Sequence, residues 1–245
     1  MTQPVTVVTG GGRGIGAATA VALAEAGHDV VINYRVAKDR AAQTAELVRA
    51  TGRQAVIVAG DISVEADVDR LFDVTAAELG PVTGLVNNAG VTGRLGRLTE
   101  ASPETIRRVV DVNVTGYLLC ARRAVQDMAG RGGAIVNVSS AAATLGSPDE
   151  YIHYAAAKGA VDSMTIGMAK EFGPLGIRVN AVSPGRTYTE IHAEMGDPDR
   201  AAKIATIAPL RRAAMPAEIA AAIVWLLSDA ASYTSGANIR IAGGL

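Results

Sequence analysis

The chain has 245 residues, of which 49% are hydrophobic but only 4% aromatic, and 27 of them are glycine. Its 23 basic residues nearly balance 24 acidic ones, so no basic field is available to attract nucleic acid or an anionic membrane. The single cysteine, Cys120, excludes an internal disulfide, no apolar run reaches membrane-spanning length, and the first residues lack the pattern of a leader peptide. We therefore expect a cytoplasmic protein with no nucleic-acid or membrane partner and no metal.

The predicted secondary structure alternates between short β-branched segments and longer Ala-rich segments along the whole chain, which is typical of βαβ units. We predict strands at residues 5–9, 29–33, 54–59, 84–87, 134–139, 178–182 and 238–241, and helices at residues 15–25, 38–50, 65–79, 103–129, 154–171 and 216–227. No linker or repeat interrupts the pattern. Residues 1–245 are therefore expected to form a single α/β domain with a Rossmann-like, doubly wound parallel sheet of seven strands and helices on both faces. We predict that the irregular segment 189–207 is a substrate lid.

A glycine-rich turn follows the first predicted strand and leads into the first helix, with the sequence Thr9-Gly-Gly-Gly-Arg-Gly-Ile-Gly16. Glycines at 10, 14 and 16 allow a sharp turn, and they let backbone N–H groups approach a pyrophosphate at the positive end of the helix. The alternative is a flexible turn without a ligand. Its position between strand and helix favours a dinucleotide site.

Tyr154 and Lys158 stand four residues apart near the start of a predicted helix, so both side chains project from one face. A tyrosine is a poor base at neutral pH, and a neighbouring ammonium would stabilise its phenolate and lower its pKa. An ordinary amphipathic helix is the alternative reading. Tyr151 is a rival, but Ala155 stands four residues after it. We therefore expect Tyr154 to be the general acid or base.

Three further residues are candidates for the same site. Ser139 and Ser140 end a buried strand at the carboxyl edge of the sheet, where open α/β folds bind ligands, although both hydroxyls could instead satisfy loop backbone groups. Asn113 lies within a predicted helix, where asparagine is unfavourable and normally points to solvent.

Together these residues closely resemble the short-chain dehydrogenase/reductase family. The resemblance covers nearly the whole chain, because the following occur in family order at family spacings: the turn 9–16, Asp61, Asn87-Asn-Ala-Gly90, Asn113, Ser140, Tyr154, Lys158 and Pro184-Gly185. It implies hydride transfer from a nicotinamide to a carbonyl. Ser140 would bind the substrate carbonyl, Tyr154 would pass it a proton, Lys158 would also bind the nicotinamide ribose, and Asn113 would hold a water that links Lys158 to solvent.

The resemblance also implies the cofactor contacts. Gly10, Gly14 and Gly16 would hold the pyrophosphate, Asp61 and Ile62 would flank the adenine, and Asn87, Ala89 and Gly90 would stabilise the sheet beside the cofactor. The full set of expected cofactor-binding residues is Gly10, Gly12, Arg13, Gly14, Ile15, Gly16, Asn33, Tyr34, Arg35, Asp61, Ile62, Asn87, Ala89, Gly90, Tyr154, Lys158, Pro184, Gly185, Thr187 and Thr189.

This chain departs from the family pattern at a few positions. Ser140 precedes Tyr154 by fourteen positions, one more than is usual, because the loop 147–153 is one residue longer. Thr187 replaces a frequent isoleucine whose backbone contacts the nicotinamide, so that contact should survive, and Thr189 matches the usual threonine. Ser139 competes with Ser140, and the pattern of the strand end favours Ser140.

NADP(H) is the expected cofactor. An NAD enzyme usually places an acid at the end of the second strand, where it accepts hydrogen bonds from the ribose and repels a 2′-phosphate. We assign that position to Asn33. Arg35 and Arg13 are nearby in sequence, and their guanidinium groups could converge on the phosphate. Alternatively, both arginines are solvated surface residues.

The predicted function is thus NADP(H)-dependent interconversion of a carbonyl and a secondary alcohol on a small molecule, in a homotetramer. The alternatives are a catalytically silent nucleotide-binding scaffold on the same fold and an epimerase or dehydratase, which the short length and the glycine spacing disfavour. The substrate stays open, since the chain is similar both to 3-oxoacyl-carrier-protein reductases and to glucose-dehydrogenase-like members. An acyl carrier would need a basic rim, for which Arg94, Arg97 and Arg131 are candidates.

Overall fold

A computed structural model describes residues 3–203 and 207–245. Seven strands form one parallel sheet in the order β3-β2-β1-β4-β5-β6-β7. The strands are β1 (Val5–Val8), β2 (Asp29–Tyr34), β3 (Ala55–Ala59), β4 (Gly84–Asn87), β5 (Gly133–Val138), β6 (Ile177–Pro184) and β7 (Asn238–Ile241). The predicted Rossmann-like sheet is confirmed, and each predicted strand overlaps an observed one.

Helices cover both faces of the sheet. They are α1 (Gly14–Glu25), α2 (Lys38–Ala50), α3 (Glu65–Glu78), α4 (Pro103–Val110), α5 (Gly116–Met128), α6 (Ala142–Leu145), α7 (Ile152–Phe172), α8 (Ile191–Glu194), α9 (Arg200–Lys203) and α10 (Pro216–Leu227). On one face, α1, α2 and α10 enclose a core that includes Leu23, Ile32 and Ile223. On the other face, α3, α5 and α7 enclose a second core that includes Phe72 and Tyr117. β-branched strands buried on both faces are the expected interior of a parallel sheet.

The long helix predicted at 103–129 is divided in the structure. Its middle, Asp111–Thr115, is a π-helical turn between α4 and α5. One extra residue in a turn does not disturb the apolar pattern enough to be read from sequence, although such turns frequently occur at functional sites. The predicted lid contains the short helices α8 and α9, and residues 204–206 of it lie outside the described part of the chain.

The order of the strands reverses between β1 and β4, which continue towards opposite edges of the sheet. The loops that follow these two strands therefore diverge and leave a crevice at the carboxyl edge, where doubly wound folds bind ligands. Within residues 3–203 and 207–245, no helix combines the length and apolar character that crossing a bilayer requires.

Candidate active site

A cleft of about 780 Å³ opens at the carboxyl edge of the sheet. Such a volume is at the large end of those found for small-molecule sites. Most of the residues expected on sequence grounds line it, namely Gly10, Gly12, Arg13, Gly14, Ile15, Asn33, Tyr34, Arg35, Asp61, Ile62, Ala89, Gly90, Ser140, Tyr154, Lys158, Pro184, Gly185, Thr187 and Thr189. Gly16, Asn87 and Asn113 do not line the cleft, and each lies behind its wall.

The glycine turn between β1 and α1 fits closely against its neighbours. Gly10 has a φ of +63°, and a Cβ there would lie 2.9 Å from the Cα of Ala89. A Cβ on Gly16 would lie 2.3 Å from the carbonyl oxygen of Gly10. Only glycine permits these approaches, because any side chain would push the turn away from the start of α1. The backbone N–H groups at the helix start consequently face the cleft without obstruction.

Asn88 holds this turn in place, and it has no role among the sequence-based expectations. Its side-chain amide donates to the carbonyl oxygens of Thr9 at 2.9 Å and Gly10 at 3.1 Å. The Thr9 hydroxyl in turn accepts hydrogen bonds from the backbone N–H groups of Asn88 and Ala89. Asn88 belongs to the motif at residues 87–90, which the sequence already singled out. Its contact with the glycine turn could not be predicted, because only the folded sheet brings β4 beside that turn.

Asn33 lines the cleft, but its side chain makes contacts that the sequence did not predict. Its side chain is buried, donates to the carbonyl oxygens of Val58 and Gly60, and accepts from the N–H of Gly10 at 3.4 Å. Asn33 therefore braces the glycine turn, and its amide is occupied by backbone groups. Because side chains alternate along a strand, the next residue, Tyr34, has the less buried position at the end of β2.

The two arginines expected at the 2′-phosphate each lie beside a carboxylate in this structure. Arg13 forms an ion pair with Glu194 at 2.5 Å, which connects the glycine turn to α8. Arg35 lies 3.8 Å from the carboxylate of Asp61. Both side chains are roughly half exposed, and such ion pairs contribute little to stability, so either arginine can exchange its partner for a phosphate.

Asp61 is held by a third arginine, Arg108 of α4, which has no role among the sequence-based expectations. Burial alone would raise the pKa of Asp61, but hydrogen bonds from Arg108, at 2.6 Å, and from Ser63 lower it to about 2. Asp61 is therefore ionised at neutral pH, and the pair fixes the wall of the cleft beside Ile62.

Ser139 and Ser140 have different surroundings. The Ser139 hydroxyl is buried and donates to Asp162 at 2.5 Å, so it serves the helix behind the strand. The Ser140 hydroxyl lines the cleft, accepts from the N–H of Ala142 and hydrogen-bonds with Tyr154. Both serines line the cleft, but of the two hydroxyls only that of Ser140 interacts with Tyr154.

The lower tyrosine pKa expected from the neighbouring lysine is not present in this structure. Burial raises the pKa of Tyr154, with a contribution from Tyr151, and the hydrogen bond with Ser140 only partly opposes this effect. The Lys158 ammonium lies 5.7 Å from the centre of the Tyr154 ring. Burial lowers the pKa of Lys158 to about 7, despite the charge of Asp162. Desolvation therefore has the largest effect on the pKa of both groups.

Asn113 is fully buried, in contrast to the solvent-facing position normal for a helical asparagine. The π-helical turn directs its amide nitrogen to the carbonyl oxygens of Val91 and Val109, both at 2.8 Å. Its Oδ1 has no hydrogen-bond partner among the described residues. A buried acceptor without a partner is costly, and a water between Asn113 and the Gly90–Lys158 region would satisfy it.

Asn87 and the arginines proposed for an acyl carrier do not line the cleft. The Asn87 side chain donates to Asn137 at 3.0 Å and so joins β4 to β5, which agrees with a sheet-stabilising position. Arg94, Arg97 and Arg131 do not line the cleft, and Arg97 pairs with Asp149 on the surface.

At the end of β6, the Thr187 hydroxyl donates to the carbonyl of Gly185.

These features fit a nicotinamide dinucleotide. The glycines leave space that a Cβ would fill, the start of α1 offers N–H groups to a pyrophosphate, and Asn113 carries an unsatisfied oxygen. Gly10, Gly14 and Ile15 would hold the pyrophosphate, Asp61 and Ile62 the adenosine, and Lys158 the nicotinamide ribose.

Comparison with known proteins shows the family of the chain. A family profile described as Enoyl-(Acyl carrier protein) reductase matches residues 10–245. The chain is 46% identical over 244 residues to "Uncharacterized oxidoreductase YgfF" of Escherichia coli (strain K12), covering 98% of this chain and 99% of the relative. It is 41% identical over 243 residues to "Cis-4-hydroxycyclohexanecarboxylate dehydrogenase" of Sinomonas cyclohexanicum, covering 99% and 96%.

A solved structure is also closely similar. The crystal structure of a short-chain dehydrogenase from Burkholderia cenocepacia J2315 in complex with NADP superimposes with a TM-score of 0.90 at 32% identity, covering 99% of this chain and 97% of that one. The profile, the relatives and the structure agree with the fold described above. The chain belongs to the short-chain dehydrogenase/reductase family of oxidoreductases.

Proposed function

We propose that this protein is an NADP(H)-dependent oxidoreductase that interconverts a carbonyl and a secondary alcohol, with Tyr154 as the general acid in reduction and the general base in oxidation. The observation that carries the proposal is the placement of Ser140, Tyr154 and Lys158 together in one cleft, with Tyr154 hydrogen-bonded to Ser140. The bound nicotinamide supplies or accepts the hydride. A relative named for oxidation of a hydroxyl-bearing ring supports the same reaction class.

Each side chain has a defined task in this proposal. Ser140 donates a hydrogen bond to the substrate oxygen and so orients the carbonyl beside Tyr154. Tyr154 gives its proton to that oxygen as negative charge develops on it. Lys158 then supplies the proton that Tyr154 has lost, and Asn113 holds the water that connects Lys158 to solvent. The raised pKa of Tyr154 keeps its proton in place until the oxygen becomes basic.

The preference for NADP(H) rests on the charges at the end of β2. Arg13 and Arg35 line the cleft, Arg108 lies beside them, and β2 ends in Tyr34, which carries no charge that would repel a 2′-phosphate. The similar structure that was solved with NADP supports this choice. We also propose a cytoplasmic homotetramer that acts on a small molecule and uses segment 189–207 as its substrate lid.

The decisive experiment follows NADPH absorbance while the purified protein is offered a panel of cyclic and linear ketones, with NADH measured in parallel. We expect consumption of NADPH with at least one ketone and none without ketone. A protein that binds NADPH tightly but consumes it with no member of the panel, in either direction, would be the silent scaffold instead.

A further inference from the structure

Two arginines stand in the wall of the cleft beyond Tyr154, on the side of the lid. Arg186 directly follows Pro184-Gly185, and Arg200 belongs to α9. The Arg200 side chain is only 6% exposed. It donates to Glu150 at 2.5 Å and to the hydroxyl of Tyr151 at 3.2 Å. Its guanidinium carbon lies 5.3 Å from the centre of the Tyr151 ring.

Tyr151 connects this arginine to the reaction centre. The edge of one ring meets the face of the other, with the centres of Tyr151 and Tyr154 separated by 5.3 Å and their planes at 88°. One aromatic ring therefore separates the Arg200 guanidinium from the tyrosine that we propose as the acid. A substrate whose carbonyl contacts Tyr154 would thus extend towards Arg186 and Arg200 if it enters under the lid.

The charges of this cluster do not balance. Arg186 lies 3.6 Å from Glu150, so both arginines share one carboxylate. Within residues 3–203 and 207–245, Glu150 is the only acid in ion-pair distance of either guanidinium. Asp197 also interacts electrostatically with Arg200, but the charge of Lys203, with which it forms an ion pair, offsets its own. Two positive charges against one negative charge leave an excess of one positive charge in a partly buried wall, which costs free energy unless an anion joins it.

The hydrogen-bond donors of the cluster are also incompletely used. The Nε of Arg200 is buried and has no acceptor among the described residues. The guanidinium of Arg186 makes only the 3.6 Å contact with Glu150 there, too long for a hydrogen bond. Planar guanidinium groups match the two oxygens of a carboxylate, and each such charge-assisted pair is stronger than a neutral hydrogen bond.

We propose that the substrate carries a carboxylate, which binds at Arg186 and Arg200 while its carbonyl lies against Ser140 and Tyr154. The single excess charge suits a monoanion better than a dianionic phosphate ester. This inference rests on the proposed ketone reduction, because that reaction fixes the other end of the substrate at Tyr154.

The test compares 4-oxocyclohexanecarboxylate, which is an anion at neutral pH, with two neutral ketones on the same ring, its methyl ester and 4-methylcyclohexanone. The native enzyme should show a kcat/KM about ten- to a hundredfold higher for the acid than for the ester, mainly through KM. Arg186→Met should remove most of that advantage and leave the ester within about twofold. Arg186→Lys should retain part of the preference for the acid, because the positive charge remains but the planar guanidinium that pairs with both carboxylate oxygens is lost.

The controls separate this proposal from a general effect of charge. Arg97→Met removes an exposed arginine of the neighbouring loop that does not line the cleft, and the preference for the acid should survive. Arg200 is left unchanged, because its removal would leave Glu150 and Tyr151 without their partner and disturb the fold.

Calorimetry with cyclohexanecarboxylate, which has no carbonyl to reduce, tests the site without turnover. Binding to the native protein with NADP⁺ that weakens in Arg186→Met supports the proposal. If the neutral ketones are reduced but the acid has no advantage and the carboxylate does not bind, the carboxylate site is wrong and the proposed function stands. If no ketone is reduced yet the carboxylate binds through Arg186, the proposed function fails and the anion site stands.

Discussion

The Lys158 ammonium donates a hydrogen bond to the Tyr117 hydroxyl across 3.2 Å and a second one to the carbonyl of Val138 across 2.8 Å. Tyr117 is fully buried in α5, and its ring centre lies 4.8 Å from the same ammonium. Tyr117 thus stabilises the charged form of a lysine that burial otherwise discharges. We regard it as a positioning residue for Lys158.

The first prediction concerns this contact. Tyr117→Phe should lower kcat about three- to tenfold at neutral pH, the value of one hydrogen bond to a charged group. The pH profile of kcat should also shift towards lower pH, because Lys158 would lose its proton more readily. Tyr233→Phe, which removes a hydroxyl from a fully exposed tyrosine, is the control. An unchanged pH profile in Tyr117→Phe would contradict the role.

The second prediction separates the acid from the lysine. Tyr154→Phe should lower kcat by at least about a hundredfold, because the proton donor is lost, while the affinity for NADPH stays within about twofold. Lys158→Met should reduce both kcat and the affinity for NADPH, because that side chain is proposed to bind the nicotinamide ribose as well. Turnover is followed by NADPH absorbance and affinity by quenching of protein fluorescence. Native turnover in Tyr154→Phe would show that the mechanism is wrong.

The third prediction follows from the pKa of Lys158, which burial lowers from 10.5 to about 7. Between these values the unfolded chain holds a proton that the native protein has released, so the free energy of unfolding should rise with pH across this window. The slope for one proton is about 1.4 kcal/mol per pH unit.

Urea unfolding of the cofactor-free protein at several pH values measures this contribution. In Lys158→Met the slope should be smaller by about that amount, whereas the exposed Lys170→Met should behave like the native protein. Parallel pH dependences for the native protein and Lys158→Met would mean that Lys158 is not discharged by burial.

The fourth prediction concerns the cofactor. The native kcat/KM should favour NADPH over NADH, and Arg13→Ala and Arg35→Ala should each lower the value for NADPH about tenfold while that for NADH changes little. Arg107→Ala on the exposed side of α4 is the control. Asn33→Asp is a poor test, because the amide that it removes holds Val58 and Gly60. A native ratio in favour of NADH would reject the assignment.

The fifth prediction concerns assembly. Leu118 of α5 and Ile166 of α7 are 45% and 49% exposed, so their apolar side chains are accessible to a second subunit. If these helices form the dimer contact of a tetramer, Ile166→Glu should lower the mass measured by light scattering at micromolar concentration. Leu47→Glu on α2, equally apolar and 59% exposed, should not. A native protein that is already monomeric would refute the tetramer.

The sequence by itself determined the sheet, most of the helices and the motifs that lead to the cleft. Strand and helix positions follow from local periodicity, and the glycine turn and the Tyr154–Lys158 spacing are contiguous motifs, so each can be read without knowing what lies beside it. Even the choice of Ser140 over Ser139 follows the pattern of the strand end.

Only the tertiary structure decided what each side chain contacts. The Asn33 side chain accepts a hydrogen bond from Gly10, and the Asn88 side chain donates one to Thr9 in the glycine turn. Lys158 contacts Tyr117, which lies 41 positions away in sequence. Burial also reversed the expected shift in the pKa of Tyr154, because desolvation depends on every element that packs around a group. Such contacts join residues on different elements, and no local pattern records them. The arginine pair at 186 and 200 likewise becomes a candidate carboxylate site only when the fold brings both guanidinium groups to Glu150.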